Sequence, residues 1–170
     1  MVAGSPQVPG TIWEEYADFA HFASSFNHPM FTSFEPWFYE SLGGLRPTMP
    51  GFSRSRVQPQ LLGNLTFANA SIETVAGLLR CAWMKTVTSL RVEVTVPPNT
   101  ESKVVIPCHA SADTVLEGDV VTWRRGEFVA GVPGVTGAAE ESGASGLQPG
   151  VSLDVGSGHY VFIVATHRNV

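Results

Sequence analysis

Leu90-Arg91-Val92-Glu93-Val94-Thr95-Val96 decides the fold class. Leu90, Val92, Val94 and Val96 occupy every second position, with Arg91, Glu93 and Thr95 between them. A strand turns successive side chains to opposite faces, so this pattern predicts a half-buried β-strand. Leu65-Thr-Phe-Ala-Asn-Ala-Ser-Ile72 alternates in the same way. Residues 76–85, 101–107, 112–116, 119–124 and 159–166 supply further candidate strands. Pro97-Pro98-Asn99, Glu117-Gly118-Asp119 and Gly156-Ser157-Gly158 supply turns between them. Many short strands punctuated in this way predict a mainly β fold, an antiparallel β-sandwich or jelly roll. Residues 130–150 are rich in Gly, Ala and Ser, with Glu140-Glu141 their only charges, and read as a long surface loop.

Towards the N-terminus the period changes. Arg46-Pro-Thr-Met-Pro-Gly51 places two prolines and a glycine in six residues, a break in any regular element. Before it, Phe31, Phe34, Phe38, Ser41 and Leu45 recur at three- and four-residue steps, widened by Met30, Trp37 and Leu42. That spacing predicts one amphipathic helix over roughly 30–43. Thr32 or Ser33 would cap its start, Pro36 would sit in its first turn, and Gly43-Gly44 would end it. Phe34, Trp37 and Phe38 are read as core. Residues 11–23 hold Tyr16, Phe19, Ala20 and Ala23 at helical spacing and suit a short helix or turn. The chain thus divides into a helical segment, 1–45, and a β-domain, 46–170. So wide an apolar face predicts self-association through Phe31, Phe34 and Phe38, or folding of the N-terminal segment onto the β-domain.

Composition bounds the partners. The chain has 170 residues, 44% of them hydrophobic, and a formal net charge of −5. Arg54/Arg56 and Arg124/Arg125 are its only basic clusters, which argues against nucleic acid. No apolar run approaches the length of a membrane span, and Met-Val-Ala-Gly-Ser-Pro-Gln lacks the charged start and apolar core of a secretory leader. A cytoplasmic location is favoured. Cys81 and Cys108 have no metal-ligand spacing and read as buried thiols. His21, His109, His159 and His167 form no metal pattern either, so no metal or cofactor is expected. Asn64-Leu-Thr66 and Asn69-Ala-Ser71 match glycosylation acceptors, but without a leader they read as chance.

Several ordered motifs carry a resemblance. They are Thr11-Ile12-Trp13-Glu14, Asn27-His28-Pro29-Met30-Phe31, Trp37-Phe38-Tyr39 and Gly43-Gly44-Leu45-Arg46-Pro47. Pro50-Gly51-Phe52, Arg56-Val57-Gln58-Pro59, Val94-Thr95-Val96-Pro97-Pro98-Asn99-Thr100 and Val155-Gly-Ser-Gly-His-Tyr-Val-Phe162 follow. In this order they resemble the C-terminal part of bacterial-type α-L-rhamnosidases, from about residue 11 onward. The resemblance implies the end of a six-hairpin α/α barrel, of which the helical segment would be the remnant, followed by an antiparallel β-domain. It also implies inverting hydrolysis of a terminal α-linked rhamnose on a rhamnosylated glycan or glycoside.

The same resemblance assigns residues. Glu14, directly after Trp13, matches the position of the family's proposed general base; Glu15 does not. Inversion needs a second carboxylate across the sugar ring from the acid, roughly 6.5–9.5 Å away, with water between them. On pattern alone, Glu14-Glu15 is a solvated pair complementing a helix start. Trp13 would be a sugar platform, and His28 of the Asn-His motif a substrate contact; their plainer roles are core packing and capping. The family's general acid and its sugar-gripping residues lie in motifs upstream of these, so this chain by itself is expected to be inactive. Two other readings stand beside hydrolysis. One is a non-catalytic carbohydrate-binding or structural β-module. The other is a lectin-like module with exposed aromatics drawn from Phe67, Trp83 and Trp123.

Overall fold

The computed structural model describes residues 28–165 except 112, 144 and 145, without the side chains of 31, 32 and 165. The chain forms two compact units, Met1–Trp37 and Phe38–Val170. In the first, Pro29–Phe34 forms a 3-10 helix and Glu35–Trp37 a single α-helical turn. Pro36 sits in that turn, where its missing N–H costs no hydrogen bond. The second unit begins with a π-helical turn, Phe38–Leu42. Gly43 N–H donates to the Phe38 carbonyl at 2.9 Å to close it. The expected helix is therefore realised as three short helical pieces of different pitch. The reading of Phe34, Trp37 and Phe38 as core is wrong: they are 53%, 48% and 46% exposed. Helical spacing marks which residues share a stripe, but it does not supply a surface to cover them.

Beyond Gly44 the described elements are strands apart from one 3-10 turn, Pro50–Phe52. One sheet has the order β1-β2-β6-β11-β10. Its strands are β1 (Leu45–Pro47), β2 (Arg54–Val57), β6 (Glu101–Pro107), β11 (Gly150–Val155) and β10 (Val135–Glu141). The other has the order β3-β4-β5-β12-β7-β8-β9. Its strands are β3 (Phe67–Thr74), β4 (Gly77–Lys85), β5 (Ser89–Val96), β12 (Gly158–Ala165), β7 (Thr114–Glu117), β8 (Val120–Arg124) and β9 (Glu127–Phe128). The expected mainly β, two-sheet architecture is present. Pairing is antiparallel throughout the described strands except between β2 and β6, which run parallel.

The alternating residues of the opening stretch do what their period dictates. Leu90, Val92, Val94 and Val96 point inward and are at most 4% exposed. They join one apolar cluster with Leu79, Cys81, Trp83, Phe162 and Val164 of the same sheet and Val57, Val104, Ile106, Val151 and Leu153 of the other. A single cluster shared by both sheets is the core of a sandwich. Burying each such side chain contributes roughly 1.5–3 kcal/mol.

The expectation of a loop over 130–150 is corrected. Residues 135–141 and 150–155 are strands, paired Glu141↔Gly150 through Val135↔Val155 with a bulge between Val135 and Gly137. β10 is an edge strand of small and polar residues, so its backbone pairs although its side chains carry no periodic signal. Gly150 is required where it stands, because a Cβ there would lie 2.2 Å from the Ile106 carbonyl oxygen.

Candidate functional site

Trp13 and Glu14 lie outside the described residues. His28 is the first described residue of its unit, half-buried and immediately before the 3-10 helix that starts at Pro29.

Within the second unit, the helical lead-in is held by the β-domain. The Trp83 indole N–H donates to the Leu42 carbonyl at 2.8 Å. Gln60 N–H donates to the Ser41 carbonyl and Gln58 N–H to the Gly44 carbonyl, each at 2.9 Å. Gly44 has φ +72°, and a Cβ on it would lie 2.2 Å from the Gln58 carbonyl carbon. Only glycine fits that crossing. Trp123 is anchored likewise, donating to the Ala110 carbonyl at 2.7 Å. Both tryptophans are buried, and only Phe67 of the three lectin-type candidates is exposed. One exposed phenylalanine does not make an aromatic sugar-binding face.

The second unit contains one feature that motif reading missed, a cavity of about 530 Å³ on the five-stranded sheet. Its charged lining comes from three adjacent strands: Arg54 and Arg56 on β2, Glu101 and Lys103 on β6, and Asp154 on β11. Thr48 and Thr136 add hydroxyls at its rim. The parallel register sets Arg54 opposite Glu101 and Arg56 opposite Lys103, and β11 brings Asp154 opposite Lys103. Arg54 Nε lies 3.1 Å from Glu101 and Lys103 Nζ 3.5 Å from Asp154. Arg56 is held more firmly: Nε donates to Gln58 at 2.8 Å and Nη2 to Glu141 at 2.7 Å. Below this layer the Ser55 and Ser102 hydroxyls hydrogen-bond to each other. The sequence signal was the i, i+2 spacing of Arg54 and Arg56, which on a strand places both on one face.

The other sheet carries a polar row in which Arg80 bridges Asn69 and Glu93. The hydrogen bond from Arg91 holds the Glu93 carboxyl below its ordinary value, and nearby Arg80 and His159 add to the effect. Burial pushes the Cys81 and Cys108 thiols up to about 12, with the Asp113 carboxylate adding to the shift at Cys108. Such thiols are inert at neutral pH. Among the described residues, no three His, Cys, Asp or Glu side chains gather as a metal site. No described helix is long and apolar enough to cross a membrane.

Residues 44–120 match the family model of the bacterial alpha-L-rhamnosidase C-terminal domain. Over that stretch the chain is similar to the C-terminal part of bacterial-type α-L-rhamnosidases. It is 39% identical over 88 residues to an alpha-L-rhamnosidase of Alteromonas sp. (strain LOR), covering 52% of this chain and 10% of that protein. To one from Formosa agariphila it is 28% identical over 119 residues, 66% of this chain and 13% of the relative. It therefore spans about a tenth of the length of these curated relatives. The solved alpha-L-rhamnosidase of Dictyoglumus thermophilum superposes with a TM-score of 0.67 and 28% identity, covering 84% of this chain and 14% of that one. The Streptomyces avermitilis enzyme complexed with L-rhamnose gives 0.60 and 25%, covering 82% and 11%.

Proposed function

We propose that this chain serves as the C-terminal part of an α-L-rhamnosidase that removes terminal α-linked L-rhamnose from a glycan or glycoside with inversion. The observation that carries the reading is the match of residues 44–120 to the family's C-terminal domain, continued by the structural likeness over 84% of the chain. In this reading Glu14 is the general base that activates water, Trp13 faces the sugar, and His28 contacts it. The β-domain has a supporting task, since Trp83, Gln58 and Gln60 hold the Phe38–Gly44 passage in place. Single displacement needs an acid at the leaving oxygen as well as a base at the water. Glu14 cannot do both, so this chain alone is inactive and the acid comes from preceding barrel segments of the complete enzyme.

The test is release of nitrophenol from nitrophenyl α-L-rhamnoside. The chain joined to its natural upstream sequence is expected to turn over with inverted product, and the purified 170-residue chain to be silent. Turnover by the homogeneous short chain, lost in Glu14→Gln, would show that both carboxylates reside within it. A complete protein that leaves the rhamnoside intact would favour the second reading, a non-catalytic carbohydrate-binding or structural module. Among the described strand residues Phe67 is the only exposed aromatic, so the sheets give that reading no aromatic platform.

A further inference from the structure

We infer that Gln148 is a positioning residue for the proposed reaction: it closes a glutamine clasp that fixes the Ser41–Gly44 passage, onto which the segment carrying His28 leads. The inference deepens the hydrolase reading above and rests on it for the reaction. The clasp itself rests on hydrogen bonds. Residues 58–62 follow β2 but belong to no helix or strand, and Gln58 and Gln60 are each 4% exposed. A buried segment without a ladder must find a partner for each of its backbone groups. The N–H groups of Gln58 and Gln60 go to the carbonyls of Gly44 and Ser41. Pro59 between them has none to offer. Leu61, which follows, is satisfied by one side chain. Its N–H donates to Gln148 Oε1 at 2.8 Å, and its carbonyl accepts from Gln148 Nε2 at 3.3 Å.

The contact is reciprocal. Gln148 N–H donates to Gln60 Oε1 at 3.1 Å, and the Gln148 carbonyl accepts from Gln58 Nε2 at 3.5 Å. Gln60 Nε2 also donates to the Gln58 carbonyl at 3.3 Å. Both backbone groups of Gln148 and both ends of its side-chain amide are therefore spent on residues 58–61. Gln148 stands just before β11, whose first residue, Gly150, is in register with Pro107 of β6. β11 lies inside its sheet, between β6 and β10, so a strand held on both sides sets where the clasp closes. Support thus runs from β11 through Gln148 to residues 58–61, and from their N–H groups to the carbonyls of Ser41 and Gly44. The primary amide suits the task because it presents a donor and an acceptor side by side, as a strand edge does. An alkyl group of similar size presents neither, and a carboxylate presents acceptors alone.

The experiment compares the parent with Gln148→Leu and Gln148→Glu, in the ¹⁵N-labelled chain and in the complete enzyme, with circular dichroism to check the fold. In Gln148→Leu the amides of Gln58 and Gln60 should exchange with solvent roughly tenfold faster, the factor that one lost hydrogen bond corresponds to. The Trp83 indole signal should shift, because its acceptor, the Leu42 carbonyl, belongs to the same passage. The amides of β5 should keep their protection, which a general loosening of the sandwich would not allow. Gln148→Glu should behave like the leucine variant at neutral pH, where an acceptor faces the Leu61 carbonyl. It should recover in acid, as protonation of the carboxyl restores a donor. In the complete enzyme, Gln148→Leu should lower kcat roughly tenfold or more with KM nearly unchanged, the mark of lost alignment. Unaltered exchange at Gln58 and Gln60 would overturn the inference, and so would faster exchange with an unaltered kcat. The two readings fail separately. A complete parent protein that leaves the rhamnoside intact removes the hydrolase, whereas exchange at Gln58 and Gln60 decides the clasp without any turnover.

Discussion

The indole nitrogen of Trp83 donates to the backbone carbonyl of Leu42, 2.8 Å away and 41 residues earlier in the chain. Leu42 ends a π-helical turn, where a carbonyl has lost its helical partner and needs another donor. Trp83 supplies it from β4 while its ring stays in the core, 2% exposed. One side chain thus fills the sandwich and fixes the passage leading into it.

Separating those two roles is possible by substitution. Trp83→Phe keeps an aromatic ring and removes the donor, and should destabilise the chain by about 1–3 kcal/mol. Trp83→Ala also opens a cavity and should cost about 3–5 kcal/mol. Urea denaturation reads both values. Equal losses for the two variants would mean that the hydrogen bond, and not the ring, carries the residue.

Gly44→Ala should be harsher than Gly63→Ala. Both glycines have positive φ, +72° and +55°, but a Cβ at Gly63 meets nothing within 4 Å. Gly63→Ala therefore carries backbone strain alone, about 1–2 kcal/mol. Gly44→Ala adds a collision with the Gln58–Pro59 backbone that no rotamer relieves. A thermal melt in which the two variants lose equally would contradict this account of the crossing.

The thiols make an alkaline prediction. Their ordinary value is 9.0, and the folded protein raises both to about 12. The folded form holds its thiol protons more tightly, so this contribution to stability is fully present below pH 9. It is lost as the pH rises from 9 towards 12. Cys81→Ala measured against the parent should flatten that decline. At pH 8, Ellman's reagent should modify neither cysteine rapidly in the native chain, and both after denaturation. Rapid native labelling of Cys81 would mean that the sandwich opens far more often than its packing allows.

In the complete enzyme, Glu14→Gln should lower kcat by about 10²–10⁴, the usual range for a positioned acid or base. Glu15→Gln should change little, because neighbouring side chains point apart on either a helix or a strand. His28→Ala should raise KM, as expected for a sugar contact. Comparing the two glutamates under steady-state kinetics is the decisive step. A larger loss at Glu15 would shift the whole assignment by one residue.

Met30, Phe34, Trp37 and Phe38 are each about half exposed or more, so the isolated chain should self-associate. Burying each ring in a partner surface is worth roughly 1.5–3 kcal/mol. Phe38→Ser should move sedimentation towards the monomer. A parent chain that already sediments as a clean monomer would dispose of the idea.

The β architecture was legible wherever burial is one-sided. Leu90–Val96 and Leu79, Cys81 and Trp83 alternate because one face meets the core and the other meets water. β10 was not legible, because Gly137, Ala138 and Ala139 form an edge whose stability lies in backbone pairing with β11. The helical stripe was visible as a pattern, but exposure is a property of what surrounds it, which spacing does not contain. For the candidate site, Glu14 and Trp13 were reachable only through family motifs. The cavity needed the β2–β6 register, a parallel contact between segments 47 residues apart that no local pattern encodes.

The position of β12 has a consequence for how the protein is made. Gly158–Ala165 is the last described strand in the sequence, yet it lies in the middle of its sheet, hydrogen-bonded to β5 on one side and β7 on the other. During synthesis, β3–β5 and β7–β9 therefore emerge as two separate ribbons with raw inner edges. They wait for a wedge that leaves the ribosome some thirty residues after β9. Over that interval, Val92, Val94 and Val115 have no Phe162 or Val164 beside them. Unpaired strand edges beside uncovered apolar faces are prone to join other chains. The nascent chain is thus most at risk just before its centre strand arrives, and slowing translation at that point would prolong the exposure.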